Sequence, residues 1–391
     1  MSGSAGATRP IWDIESLPFL FRPLASPHNP DGIPDFLPFR LGVDERSGRL
    51  LQLPTARLEE ILARAYSDGT MITGMMDEHG IGRQYAEDFL AIVSRAVGRE
   101  RLDGLRVLEI GSGTGYLLHR IQLLGADVRG VEPGPQAEAG AAKYGLPIDR
   151  GFFPAVDVGD GFDLAILYLV LEHVPDPETL LREVNRVVRP GGIVLVAVQD
   201  EEPYIASGEL SLLFHEHYSY FSARTLARTI RASGGSPVEV GRSPFSNVLV
   251  ASYLAREPAA EPADVELDLD LATAFRRRAE TVVTSVSAKM DGVQNEGGTI
   301  GVFVPARAVN ILQLRGGSLD GVRFFDDNQA LRGTYYPGFP MPVEDRAGLA
   351  DGPPSCVLIM SLSFGRTIAE SLGAELPTSV EVVPLSSLVS Q

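Results

Sequence analysis

The segment Val107-Leu108-Glu109-Ile110-Gly111-Ser112-Gly113-Thr114-Gly115 constrains the fold of this chain more than any other. A strand-like run, Arg106–Ile110, meets three glycines spaced two apart, and Leu117, Leu118 and Ile121 then recur at helical spacing. A strand that turns through glycines into a helix lets the backbone approach a ligand closely and presents N–H groups to it at the helix start. Glu132 closes the next strand-like run, 128–131, about 20 residues on, where a carboxylate can hold both hydroxyls of a ribose. These residues predict an adenosine derivative as ligand. Glu109, two positions before Gly111, points a carboxylate into the same pocket, which a pyrophosphate would disfavour and a cationic group would not.

Beyond the turn, strand-like runs at 163–169 and 193–198 alternate with helical segments, the order of an α/β sheet. Upstream, residues 1–60 are rich in Pro and turn residues with short apolar stretches, which predicts a small irregular or β-containing module. Helical periodicity over 57–97 predicts a connector. After the strand-like run 248–254, Glu, Pro, Ala and Asp cluster at 257–264, a boundary; the acidic stretch 264–270 leads into a helix expected to end near Arg278. Candidate strands at 299–304, 322–325 and 357–361 then predict a second α/β unit. A chain of 391 residues is long enough for two or three such domains.

Charge and cysteine content narrow the chemistry. A net charge of −17 leaves no basic footprint for nucleic acid or an anionic membrane, so a small-molecule substrate is expected. Cys356 is the single cysteine and lies in an apolar run, so neither a disulfide framework nor a thiolate metal site is expected. With no apolar signal core and no apolar run of about 18 residues, a cytoplasmic location is expected. The sequence is silent on oligomeric state.

The glycine turn with Glu109 resembles the first motif of class I methyltransferases, whose cofactor S-adenosyl-L-methionine carries an amino acid and a sulfonium in place of phosphates. Phe162-Asp163-Leu164-Ala165, Leu171-Glu172-His173-Val174 and Val188-Arg189-Pro190-Gly191-Gly192 match the later parts of that fold as fourth strand, following loop and turn into the fifth strand. By this resemblance Glu109, Gly111, Ser112, Gly113, Gly115, Glu132, Pro133, Phe152, Phe153 and Leu169 bind the cofactor, with Glu109 toward its cationic end.

The segment Phe214-His215-Glu216-His217-Tyr218-Ser219-Tyr220-Phe221 gathers titratable side chains beyond the fifth strand. Such groups can also satisfy a core, and two histidines two apart can ligate a metal from a strand, but no third ligand with suitable spacing is visible. The segment resembles the His-Glu-His signature of sugar C-methyltransferases acting on nucleotide-linked ketosugars, the deoxysugars of antibiotic biosynthesis. Residues 299–310, Asp326-Asp327-Asn328 and Gly333-Thr334-Tyr335-Tyr336-Pro337-Gly338 resemble that family's C-terminal Rossmann-like domain, and Tyr66-Ser67, His79 and Tyr85 fall in its helical approach to the active site. The implied fold is α/β: a class I methyltransferase domain (101–256) flanked by a small N-terminal module (1–60), a helical connector (61–100) and a C-terminal Rossmann-like domain (257–391).

Departures are as informative. Asp44 and Ser47 stand where the family has zinc-binding cysteines, so no metal is expected. Phe303 and Val304 replace a Gly-Ala turn, Arg307 stands where Lys is usual, and residues 245–248 replace a His-Gly-Gly-Ser turn. The implied reaction removes a proton from carbon next to a ketone before methyl transfer. His217 is the expected base, Glu216 its orienting partner and Tyr66 or Tyr218 the donor to the developing oxyanion, with His215 in the same group. Because neighbours point apart on a strand, cooperation of Glu216 and His217 requires an irregular loop. The same scaffold could serve an N- or O-methyltransferase, or a cofactor-binding protein without activity.

Overall fold

A computed structural model describes residues 8–20, 22–71, 75–255, 265–361 and 365–389. The chain forms two compact units, one from Met1–Arg9, Gly42–Glu202 and Glu216–Asp270, the other from Pro10–Leu41, Pro203–His215 and Leu271–Gln391. The units do not follow the consecutive segments 1–60, 61–100, 101–256 and 257–391. Long-range backbone pairing explains part of this: Leu24 and Tyr335 exchange hydrogen bonds of 2.7 Å within the second unit. The boundary expected at 257–264 lies outside the described residues.

Most of β1 (Thr8–Pro18) and of β2 (Phe36–Asp44) belongs to the second unit. In the first unit β3 (Leu50–Gln52) leads to α1 (Ala56–Ser67), capped by Thr55, and to α2 (Gly80–Val97), which ends at left-handed Gly98. The expected connector is thus two helices. β4 (Arg106–Ile110), α3 (Tyr116–Leu123), β5 (Asp127–Glu132), α4 (Gln136–Tyr144), β6 (Ile148–Arg150), β7 (Phe162–Tyr168), α5 (Pro177–Val187) and β8 (Val188–Gln199) follow in alternation. The expected turn at 188–192 is the irregular beginning of β8, with Gly191 at φ 76° and a register shift opposite residues 162–164. After α6 (Glu202–Ser207) come β9 (Ser219–Tyr220), paired with β3, then α7 (Ala223–Ala232) and the antiparallel β10 (Gly235–Arg242) and β11 (Val248–Ala255).

The sheet order is β10-β11-β8-β7-β4-β5-β6. Its five strands from β8 to β6 are parallel, and β11 runs antiparallel to both neighbours. Alternation along each strand sorts the core into two faces. Leu108, Ile110, Ala165, Leu167, Val194 and Val196 pack under α5 and α7. Val107, Leu164, Ile166, Leu195 and Ala197 pack under Phe89 and Val93 of α2 and Leu117, Leu118 and Ile121 of α3.

The last long helix, α8 (Val265–Asn295), runs well past Arg278, and the division between the units falls inside it. The second unit then has β12 (Ile300–Phe303), α9 (Val309–Arg315), β13 (Val322–Phe325), β14 (Val343–Glu344), α10 (Arg346–Asp351), β15 (Cys356–Ile359), α11 (Gly365–Glu375), β16 (Glu381–Pro384) and α12 (Leu385–Val389). Its sheet, β14-β13-β12-β15-β16, is parallel throughout.

Candidate active site

In an open parallel sheet a ligand sits beyond the carboxyl ends of the strands where the winding reverses, here between β4 and β7. Three glycines at that place are left-handed: Gly111 at φ 72°, Gly113 at 53° and Gly115 at 73°. A Cβ on Gly111 would lie 2.4 Å from Val170 Cγ2, and one on Gly115 2.7 Å from Ile148 Cδ1, so backbone and packing both demand glycine. Glu132 braces the turn: its Oε2 accepts from Gly113 N and its Oε1 from Gly134 N, each at 2.9 Å. Glu109 is buried in β4, and its Oε2 has no hydrogen-bond partner. Burial first, then the nearby Glu132 carboxylate, pushes the Glu109 carboxyl up to about 8. The Ser112 hydroxyl is also buried without a partner. Such a floor fits a ligand that brings a cation and hydroxyls, and it opposes a pyrophosphate.

The remaining expected contacts surround this turn unevenly. Pro133 is half-buried after β5, Phe153 packs against the core under α5 and α7, and Phe152 is exposed. Leu169 follows β7 at φ 53°, its N–H donating to Ala197 O at 2.8 Å. A left-handed non-glycine residue of this size is uncommon and collects at functional sites.

The second cluster stands on three loops of the first unit. His215 and Glu216 form a turn, His217 and Tyr218 are irregular, and β9 begins only at Ser219, so the expected irregular loop is present. Glu216 and His217 face a common group. Tyr66, in the last turn of α1, places its hydroxyl 3.1 Å from His173 Nδ1 and donates to Glu216 Oε2 at 3.4 Å. His173 Nδ1 lies 3.1 Å from Glu216 O, and the His173 and His217 rings meet edge to face at 4.8 Å. Glu201, two residues past β8, places Oε1 3.3 Å from His217 Nδ1, an ion-pair distance without hydrogen-bond alignment. Gln52 of β3 donates to His217 O at 3.1 Å.

Burial dominates the electrostatics. It holds His173 and His217 below the ordinary imidazole range, hence neutral, and raises the carboxyls of Glu172 and Glu201. Burial and then the Glu216 carboxylate push the Tyr66 phenol well up, which keeps it a donor. Tyr218 differs. Its N–H donates to Glu172 O at 2.7 Å, and burial with Glu59 of α1 lifts its phenol to about 12.

His215 does not join the group expected for it. The units divide between His215 and Glu216, and His215 lies in the second unit against Phe19 and Phe39, its Nε2 3.3 Å from Leu17 O. Burial lowers it to about 4, the environment of a core histidine. Sequence reasoning missed Glu172, His173 and Glu201 as members of the cluster, having placed the first two only in a loop. The signal was their position after the carboxyl ends of β7 and β8.

Where zinc-binding cysteines are absent, a polar knuckle takes their place. Ser47 Oγ donates to Asp44 Oδ2 at 2.9 Å, Arg46 N donates to Asp44 Oδ1 at 2.9 Å, and Arg228 reaches from α7 to Ser47 O at 2.8 Å and to Asp268. Among the described residues no three His, Cys, Asp or Glu side chains are arranged to hold a metal ion. No described helix is long and apolar enough to cross a membrane.

A family model described as a methyltransferase domain matches residues 81–240, and one described as a C-methyltransferase C-terminal domain matches 240–382. The ubiquinone biosynthesis O-methyltransferase of Ruegeria pomeroyi is 30% identical over 177 residues, 41% of this chain and 70% of that protein. The chain belongs to the S-adenosylmethionine-dependent methyltransferases. Another member of this class, the C-methyltransferase NovU of Streptomyces niveus, is 26% identical over 290 residues, 69% of each chain. A ubiquinone biosynthesis O-methyltransferase of Methylobacterium sp. (strain 4-46) is 37% identical over 108 residues, which span 26% of this methyltransferase and 43% of that one. Among solved structures, the 1,6-didemethyltoxoflavin-N1-methyltransferase of Burkholderia thailandensis, with S-adenosylhomocysteine bound, is 21% identical, with 54% of this chain and 96% of that one covered and a TM-score of 0.39. The cofactor, S-adenosylmethionine, is one that the floor at Glu109 suits: its sulfonium and ammonium would favour the ionised form of a carboxyl that burial raises and whose Oε2 is unpaired.

Proposed function

We propose that this methyltransferase alkylates a carbon acid, the carbon next to a ketone in a small-molecule acceptor, a nucleotide-linked ketosugar or a related natural-product intermediate, with His217 as general base. The observation that carries the reading is the group of buried His217 with half-buried Glu216, His173 and Tyr66, His173 standing just past the carboxyl end of β7 in the sheet that also carries the glycine turn. The C-methyltransferase C-terminal domain match and the name of the Streptomyces niveus relative support carbon as the acceptor atom.

A neutral imidazole is what the first step needs, and burial favours that form of His217. His217 takes the α-proton, and the electron pair left behind becomes an enolate. A Tyr66 phenol kept protonated can donate to the developing oxyanion, while in the resting state Glu216 fixes that phenol by accepting its hydrogen bond. S-adenosylmethionine supplies the electrophilic methyl. Held between Glu109 and Glu132, it would meet an acceptor whose positioning contributes much of the rate, the base adding roughly 10²–10⁴-fold.

The test uses S-adenosylhomocysteine in place of the donor, in deuterated water, with a panel of nucleotide-linked ketosugars. The α-proton should exchange with solvent by NMR, and His217→Gln should lose both this exchange and methylation while cofactor affinity stays within about twofold. A second reading, methyl transfer to oxygen, draws on the O-methyltransferase relatives, whose matches of 37% identity cover only about a quarter of this chain. The connectivity of a ¹³C-methyl product separates the two readings. A methyl on oxygen or nitrogen overturns carbon methylation, and methylation that survives in the His217 variant overturns the base assignment.

A further inference from the structure

Glu201 is almost fully buried, at 1% exposure, and is held from two sides by one residue. Its N–H donates to Phe221 O at 3.0 Å, and Phe221 N donates back to its Oε2 at 2.9 Å. That reciprocal pair fixes Oε2 as an acceptor and leaves Oε1 3.3 Å from His217 Nδ1, within ion-pair distance but short of hydrogen-bond alignment. Other charged and titratable groups approach His217 from every element around it. Glu172 and His173 come from the loop after β7, Glu216 from its own loop with Tyr66 behind it, and the Tyr220 ring from β9 at 6.0 Å. Of these contacts, that of Glu201 is a carboxylate oxygen opposite a ring nitrogen.

We propose that Glu201 is a positioning residue: its Oε1 accepts the Nδ1 proton of His217, which fixes the tautomer and places the imidazole lone pair on Nε2 for the acceptor. The inference rests on the reading of His217 as the base. Two carboxylate oxygens then meet two N–H donors, Phe221 N and His217 Nδ1, the pattern of an ionised carboxylate, which has acceptors only. Burial, and with it the Asp200 carboxylate, works against that ionisation and raises the Glu201 carboxyl, while the Phe221 N–H favours it; in the proposal the Nδ1 proton of His217 is the second donor. When His217 takes a proton at Nε2, the resulting imidazolium faces a carboxylate that cannot move away, since Phe221 holds it. A carboxylate in this place orients the imidazole and stabilises its charged form without taking the proton itself.

The experiment is ¹⁵N NMR of the full-length protein labelled at its six histidines, loaded with S-adenosylhomocysteine, with His217 assigned by its loss in His217→Gln. The wild type should show His217 protonated at Nδ1, with a pyridine-type Nε2. In Glu201→Gln the amide oxygen must stay on Phe221 N, so its NH₂ group faces Nδ1; the tautomer should invert, with Nε2–H the major form. Glu201→Asp should keep the Nδ1–H form. Once an acceptor is in hand, Glu201→Gln should lower kcat roughly 10²–10⁴-fold without changing cofactor affinity. Wild-type His217 protonated at Nε2, or the same tautomer in wild type and Glu201→Gln, overturns the proposal. If Glu201→Gln does not fold, the wild-type tautomer and Glu201→Asp decide it. Methylation that survives in His217→Gln overturns the base reading instead, and the tautomer measurement still reports on Glu201 alone.

Discussion

The parallel strands of the first unit's larger sheet and the parallel sheet of the second unit share a strand order and finish their first strands in opposite ways. β6-β5-β4-β7-β8 in the first unit and β14-β13-β12-β15-β16 in the second repeat one winding, so each has a reversal point beside its first strand. In the first unit β4 opens into three left-handed glycines, and the residue that ends the next strand, Glu132, accepts from the N–H groups of Gly113 and Gly134. In the second unit β12 opens into Val304, left-handed at φ 62° although β-branched, followed by Pro305, which has no N–H to offer. Its Arg307 is ion-paired with buried Glu209. Asp326, just past β13, turns Oδ1 to its own loop and accepts from Asn328 N at 2.9 Å. Winding supplies a place for a ligand. Whether one binds depends on how near the backbone can come and on which charges are already matched, and by both tests the second turn is a poor phosphate cradle.

The difference should break most sharply at the glycines. Gly111→Val adds a side chain at φ 72° in a space where Val170 Cγ2 is 2.4 Å from the new Cβ, so affinity for S-adenosylhomocysteine should fall at least about 100-fold by calorimetry. The reverse change in the other turn, Val304→Gly, should alter stability by less than about 1 kcal/mol, because relief of the left-handed strain offsets lost packing. It should leave cofactor affinity unchanged. Equal effects of the two changes would show that the first turn has no special role. Next in size is Glu132→Ala, which removes a charge-assisted acceptor and the brace of the turn together; about 10–100-fold weaker binding is expected. Unchanged affinity would remove Glu132 from the site.

The same contrast explains what was legible beforehand. The first turn is written locally: three glycines, one strand before them and a carboxylate about 20 residues later carry both its conformation and the expectation of its ligand. The candidate catalytic group is built from distant segments, with Tyr66 and His173 separated by 107 residues and Gln52 and His217 by 165. No spacing rule links Glu201 to His217, so its part in the cluster was invisible, and two histidines two apart gave no sign that His215 would pack in the second unit. β10 was missed because Gly, Ser and Pro obscure its pattern, and α8 was cut short because its polar face reads as loop.

The smallest expected effect is a proton count at Glu109, and it sharpens the comparison because Asp326 is a control. Burial raises both carboxyls, Glu109 to about 8, but only Glu109 belongs to the glycine turn expected to receive the cofactor. In the cofactor-free protein at pH 7 Glu109 is therefore mostly protonated. The ammonium of S-adenosylhomocysteine favours the ionised form, so binding should release a proton, up to about one per site at this pH. Affinity should then rise with pH by at most tenfold per unit and level off above about 8. The sign for stability is opposite. A carboxyl raised in the folded state binds more protons than in the unfolded chain, so the cofactor-free protein loses stability as pH rises from about 4.5 to about 8. Calorimetry at pH 7 in buffers of different ionisation enthalpy counts the proton. Glu109→Gln should abolish its release and flatten the stability profile over that window, whereas Asp326→Asn should leave the count unchanged. A release that persists in Glu109→Gln would move the cation's partner to another residue, and a release lost in Asp326→Asn would give the second turn a part in cofactor binding that its backbone argues against.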